Sequence, residues 1–131
     1  LGVKVACPDK TVVSLMGDGG FGMTISELST AVQYEINTIT IVMNNNSWGA
    51  EKAYQKDFFG KRYIGADISS PPFDKVAQLY GAKGFEVNKV SEVNEALKAA
   101  LKCNKPAVIN VNVDPKALYS FRRDSFKHRA K

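Results

Sequence analysis

Two apolar, β-branched runs, each closed by a short polar motif, constrain this chain more than any other feature. Thr11-Val-Val-Ser-Leu-Met16 leads into Gly17-Asp18-Gly19, and Thr38-Ile-Thr-Ile-Val-Met43 leads into Asn44-Asn45, with 24 residues between the motifs. Both runs read as buried strands. The interval holds one helical pattern, so the unit has the size of one βαβ crossover, right-handed by the usual rule. Both motifs then fall at strand carboxyl ends, where open parallel sheets bind their ligands. A carboxylate and a carboxamide there are hard oxygen donors that suit a small divalent cation such as Mg²⁺, and the cation in turn can hold a diphosphate. The glycines let backbone N–H groups approach that diphosphate closely. Gly-Asp-Gly alone is a common turn and Asn-Asn alone a common loop. Their pairing after two strands points to a phosphorylated cofactor.

The remaining pattern alternates strand and helix signals, which predicts an α/β domain with an open, mainly parallel sheet and helices on both faces. The first strand is expected over Val12–Met16. Thr24-Ile-Ser-Glu27 has the form of a capping box opening a helix to about Tyr34, with Leu28, Ala31 and Val32 on its apolar stripe. The second strand is Ile39–Met43, followed by a helix within Trp48–Phe58. The segment Phe58-Phe-Gly-Lys-Arg-Tyr-Ile-Gly65 reads as a loop over a site, ended by Pro71-Pro72. A helix over Phe73–Tyr80 has Phe73, Val76, Ala77 and Tyr80 on one face and stops at Gly81. A strand within Ala82–Val87, a helix over Ser91–Lys102 with Ser91 as its N-cap, and a strand over Pro106–Val113 complete the pattern.

At 131 residues, 44% of them hydrophobic, the chain can build a real core as one domain. No apolar run approaches the ~20 residues of a membrane helix, so no membrane partner is expected. The opening Leu1-Gly-Val-Lys-Val-Ala6 reads as the tail of a helix, and the simplest expectation is a fragment of a longer protein with no signal peptide in view. Cys7 and Cys103 have no metal-ligand spacing and fit two reduced thiols in a cytoplasmic protein. The net charge is +5, and Arg122–Lys131 holds five of the 18 basic residues. This basic tail, about 115–131, carries no nucleic-acid motif. It fits a solvated tail, or one that binds an anion or a neighbouring subunit.

Gly17-Asp-Gly-Gly-Phe-Gly-Met-Thr-Ile-Ser-Glu-Leu-Ser-Thr-Ala31, with Ile41-Val-Met-Asn-Asn-Asn-Ser-Trp-Gly49, resembles the thiamine diphosphate fingerprint of the acetolactate synthase and pyruvate decarboxylase superfamily. The likeness covers essentially the whole chain, which would be the C-terminal, diphosphate-binding domain, residues 1–131. It implies thiamine diphosphate and Mg²⁺ as cofactors. Asp18 and Asn45 would give side-chain oxygens to the metal and Ser47 its backbone carbonyl. Gly19 and Gly20 would offer N–H groups to the diphosphate, with Gly17, Trp48 and Gly49 in the same cofactor-binding set. Within the superfamily, Trp48-Gly-Ala-Glu-Lys52, Gln55-Lys-Asp-Phe58 and Phe121-Arg-Arg-Asp124 resemble the sulfoacetaldehyde acetyltransferases, with acetolactate synthases next. The resemblance implies acyl transfer or C–C cleavage on a small anionic aldehyde or 2-ketoacid, with phosphate as a substrate. It also implies a homodimer or homotetramer with the site between subunits. The activating glutamate would lie outside these residues, so neither Glu27 nor Glu51 is assigned that role and the fragment alone would be inactive.

Other readings stay open on the residues themselves. Gly17, Gly19 and Gly22 also fit a Gly-x-Gly-x-x-Gly dinucleotide turn, although Asp18 would repel a bare pyrophosphate. A non-catalytic cofactor-binding or assembly module is the rival from another class. Trp48 can line a substrate pocket or pack under the loop. Lys52, Lys61, Arg62, Arg122 and Arg123 can attract a sulfonate or phosphate or form a solvated basic face. His128, the single histidine, lies in the tail. Met16, Met23 and Met43 read as core filler, with Met23 near enough to the motif to touch a cofactor.

Overall fold

The computed structural model describes residues 1–119. The acyltransferase-like block Phe121–Asp124, with Arg122 and Arg123, lies outside the described residues, as do His128 and most of the basic tail. A short helix α1 (Gly2–Ala6) precedes β1 (Val13–Gly17), α2 (Asp18–Thr24), α3 (Glu27–Gln33), β2 (Ile39–Asn44) and α4 (Gly49–Phe58). Then come α5 (Phe73–Leu79), β3 (Lys83–Val87), a 3-10 turn (Val90–Glu92), α6 (Val93–Lys102) and β4 (Ala107–Asn112). The four strands form one parallel sheet in the order β1-β2-β4-β3.

Strand alternation divides the core in two. Met16, Val42 and Val108 face α2, α3 and α5, where they meet Phe21, Leu28, Phe73 and Ala77. The alternate residues Ile39, Ile41, Phe85, Val87, Ile109 and Val111 face α6 and its Val93, Ala96, Leu97 and Ala100. Helices on both faces of a parallel sheet are the architecture expected from the pattern. β2 and β4 are central and read as continuous apolar runs because both of their faces are covered.

Four local expectations are corrected. β1 is not fully buried: it is an edge strand, and Val13 and Leu15 stay exposed on the side that α6 does not reach. Thr24 does not cap a helix. The chain is already helical from Asp18, Thr24 is the last residue of α2, and its hydroxyl donates back to the Phe21 carbonyl (3.4 Å). A separate α3 starts at Glu27. Three glycines in a seven-residue helix are intrinsically poor helix formers. Packing holds α2 instead, since Phe21 sits edge-on to Phe73 with ring centroids 5.1 Å apart. Ser91 is likewise not the cap of α6: Glu92 takes that position without a side-chain cap bond, and its carboxylate instead reaches back ahead of the 3-10 turn to accept from the N–H groups of Asn88 (2.8 Å) and Lys89 (3.1 Å). Of the three methionines only Met16 packs into the core; Met23 and Met43 are exposed.

Other boundaries agree within a residue or two. Gly81 ends α5 with φ +90°, a conformation glycine adopts freely. On α5, however, Asp74 is buried and Tyr80 is exposed, so the inward face is Phe73, Asp74 and Ala77 with Val76 half-buried. Both cysteines are free thiols. Among the described residues no helix is long and apolar enough to cross a membrane.

Candidate functional site

The strand ends of β1 and β2 define the site. Gly17 pairs with Met43 across the ladder, so Asp18 and Asn45 leave adjacent strands at nearly the same level. At Gly17 the backbone is still extended (φ −76°, ψ 158°), and α2 begins at the next residue. Asp18 is therefore held at a strand-to-helix junction and is only 2% exposed. Its Oδ2 accepts a hydrogen bond from the Ser70 hydroxyl at 2.7 Å. Its Oδ1 has no hydrogen-bond partner among the described residues, and no lysine or arginine among them pairs with the carboxylate. Taking a carboxylate out of water without a counter-charge costs several kcal/mol after relaxation.

The second motif forms a tight loop. Asn45 Oδ1 accepts the Ser47 N–H at 3.1 Å, and Asn46 takes a positive φ of 53°, the side-chain-to-backbone turn for which asparagine is suited. Gly49 lies close against this loop: a Cβ on it would lie 2.8 Å from Asn45 Nδ2, so the Asn45 carboxamide would have to shift. Ser47 is buried, and its neighbours tie the loop to the strap that follows α4. Trp48 N–H donates to Ala66 O (2.8 Å), and Ile68 N–H donates to Asn46 O (3.0 Å).

The glycines of the first motif have different reasons to be there. Gly17 has open space around it, and Gly20 meets only the end of Met16 at 4.0 Å. At Gly19 an added Cβ would come within 2.7 Å of the Trp48 ring. The indole therefore packs directly on the first motif and joins the two halves of the site. The structure thus brings Asp18, Gly19, Asn45, Ser47, Trp48 and Gly49 into one place. Lys52 does not stand open to an anion: it is ion-paired with Asp67, and its Nζ lies 5.6 Å from the Tyr63 ring centre. Lys61 and Arg62 are exposed on the loop before the strap.

Sequence reading missed two residues that organise this place, Asn110 and Ser70, and gave Asn44 no role apart from its motif. Asn44, buried at the end of β2, donates through Nδ2 to Asn110 Oδ1 (3.1 Å) and to the Pro71 carbonyl (3.3 Å). Its own Oδ1 accepts from Asn46 N–H at 3.3 Å. Asn110 is 1% exposed in the centre of β4, and a carboxamide within an apolar strand was the available signal. Ser70 stands 52 residues from Asp18 in sequence and carries no local signal at all.

Among the described residues no group of three or more histidine, cysteine or acidic side chains gathers, so a soft-metal centre is not built there. One carboxylate oxygen, one carboxamide oxygen and nearby carbonyls form the mixed oxygen set that Mg²⁺ tolerates when phosphate supplies further ligands. The donor chemistry fits the implied cation.

Fold and site together define a parallel α/β domain with a carboxylate and a carboxamide just beyond the carboxyl ends of its first two strands. Residues 1–111 match the family described as thiamine pyrophosphate enzyme, C-terminal TPP binding domain, and the chain belongs to that family. It is 36% identical over 129 residues to a sulfoacetaldehyde acetyltransferase of Castellaniella defragrans, covering 95% of this chain and 22% of that protein. It is also 36% identical over 121 residues to a probable acetolactate synthase large subunit of Methanococcus aeolicus, covering 92% and 20% respectively. Among solved structures it is similar to a Rhodococcus jostii RHA1 thiamine diphosphate-dependent 4-hydroxybenzoylformate decarboxylase. That match has a TM-score of 0.80 and 32% identity, over 86% of this chain and 21% of the other. The chain spans about a fifth of the length of these relatives.

Proposed function

We propose that this domain anchors the diphosphate of thiamine diphosphate through Mg²⁺, with Asp18, the Asn45 carboxamide oxygen and the Ser47 carbonyl as protein ligands. The observation that carries the reading is the buried Asp18 carboxylate, which has no cationic partner among the described residues. A bound cation removes that cost. Gly19 and Gly20 offer backbone N–H groups to the diphosphate, with Gly17 beside them. Trp48 and Gly49 keep the Asn45 loop closed against the first motif and shield the site from water. The cofactor, when bound, supplies the carbanion and electron sink; this chain's residues position it.

The reaction that best fits is acyl transfer, with sulfoacetaldehyde and phosphate giving acetyl phosphate and sulfite. Support comes from the acetyltransferase relative, which is matched along 95% of the chain. The second reading is acetolactate synthesis or a related 2-ketoacid reaction, favoured by the synthase and decarboxylase relatives. The activating glutamate would come from outside residues 1–131, in a cytoplasmic homodimer or homotetramer with the site between subunits. The fivefold greater length of the relatives leaves room for such parts. The test is to titrate full-length protein with thiamine diphosphate with and without Mg²⁺, then assay it with sulfoacetaldehyde plus phosphate and with pyruvate. Mg²⁺-dependent binding followed by sulfite release is the expected result. Binding that survives chelation rejects the metal reading, and acetolactate without sulfite rejects the acetyltransferase reading. Cofactor binding without turnover of either substrate favours the non-catalytic module.

A further inference from the structure

We propose that Ser70 is a positioning residue for the cation site: its hydroxyl fixes the Asp18 carboxylate so that Oδ1 alone is presented to the metal. The inference rests on the Mg²⁺-diphosphate reading and adds a residue from a segment that carries no motif. The Ser70 hydroxyl donates to Asp18 Oδ2 at 2.7 Å, while Oδ1 has no such partner among the described residues. A carboxylate free to rotate would present either oxygen, or both, in competing arrangements. One held at Oδ2 offers a single oxygen in one direction. Ligating carboxylates are generally oriented by such outer hydrogen bonds, whose loss costs about 10–100-fold in metal affinity.

Ser70 can do this because the strap on either side of it is held. The strap 66–71 is stitched to the Asn45 loop by Trp48 N–H to Ala66 O and by Ile68 N–H to Asn46 O, the two bonds of the antiparallel bridge between Ser47 and Asp67. One residue beyond Ser70, the Pro71 carbonyl accepts from Asn44 Nδ2, which is held in turn by the buried Asn110. The strap therefore touches both halves of the site, one through Ser70 and Asp18 and the other through the Asn44–Trp48 loop. A displacement of either half is felt by the other. The second motif in this way helps set the direction of the carboxylate supplied by the first.

The test measures Mg²⁺ affinity calorimetrically in full-length protein at saturating thiamine diphosphate, together with the melting temperature of the metal-free form. Ser70→Ala is expected to weaken Mg²⁺ by about 10–100-fold, beyond the modest drop in metal-free melting temperature that comes with losing one hydrogen bond to a buried carboxylate. Ser70→Thr, which keeps the hydroxyl, should stay within about threefold of the parent, below that window. Unchanged affinity in Ser70→Ala overturns the inference. So does an equal loss in both variants, because packing rather than the donor would then be responsible. Asp18→Ala, run alongside, separates the levels: if it too binds Mg²⁺ and cofactor like the parent, the underlying reading falls, whereas its loss beside a silent Ser70→Ala removes only the role of Ser70.

Discussion

Asp18 and Asp74 are both buried carboxylates, 2% and 1% exposed, and they sit in contrasting surroundings. Asp18 opens α2 among glycines directly after β1 and has one oxygen held by Ser70. Asp74 lies in the first turn of α5, with Lys75 Nζ 3.4 Å from its Oδ2 and its Oδ1 buried without a hydrogen-bond partner among the described residues. Its backbone is pressed onto β3, where a Cβ at Gly84 would lie 1.9 Å from the Asp74 carbonyl oxygen. Burial of a carboxylate therefore does not by itself make a cation site. Asp18 has no cationic partner among the described residues and is held by a hydroxyl; Asp74 has a lysine and a helix wedged against the sheet. One buried acid reads as chemistry, the other as packing.

The contrast can be broken most forcefully at Gly84. Gly84→Ala places a methyl group inside a backbone contact that has no flexible side chain to yield. It should cost about 3 kcal/mol or more by overpacking, read from urea denaturation. A wild-type midpoint would show that α5 is not seated as tightly as Asp74 implies.

The next largest effect is expected at the site itself. Asp18→Ala should weaken Mg²⁺-dependent cofactor binding by at least about 100-fold, the upper end of what loss of an outer partner gives, while Asp74→Asn should leave it within about twofold. Equal losses in the two variants, measured by titration calorimetry, would erase the distinction. In the metal-free protein the sign reverses. Asp18→Asn should raise stability by about 1 kcal/mol, because it removes a buried charge with no cationic partner among the described residues. Excess Mg²⁺ and cofactor should stabilise the parent but not that variant.

The smallest effect lies at an exposed acid that shares neither environment. Glu92 has its carboxyl pKa held below the ordinary value of 4.5, first by the Asn88 N–H and then by the Lys89 N–H. A depressed folded value means the stabilisation is present above 4.5 and is lost as pH falls through the lowered value. Exchange protection of the Asn88 and Lys89 amides should therefore fall on acidification over that window, and Glu92→Gln should show no such acid limb. An identical acid response in the variant would show that the carboxylate does not hold these amides.

Much of the fold was legible because periodicity reports burial directly. The central strands β2 and β4, the apolar stripe of α6 and the stop at Gly81 all follow from residue type and spacing. The first turn of α2 was not legible, since Gly17-Asp-Gly-Gly has the composition of a turn and becomes helical through the seating of Phe21 and Gly19. The exposure of β1 was hidden for a related reason: an apolar run gives no sign of whether it will have a neighbour on both sides. The places of Asp18 and Asn45 just beyond two adjacent strands followed from the strand pattern.

The order of elements, the parallel sheet and the two oxygen-bearing motifs can be read from residue order alone, because these depend on local spacing and on the level at which strands end. The hydrogen bond that holds the Asp18 carboxylate arises from packing. The partner that aims it, Ser70, lies 52 residues away, on a strap whose position is set by hydrogen bonds to another loop. A hydrogen bond between groups so distant along the chain leaves no periodic trace, and it exists only once the sheet and its loops have packed.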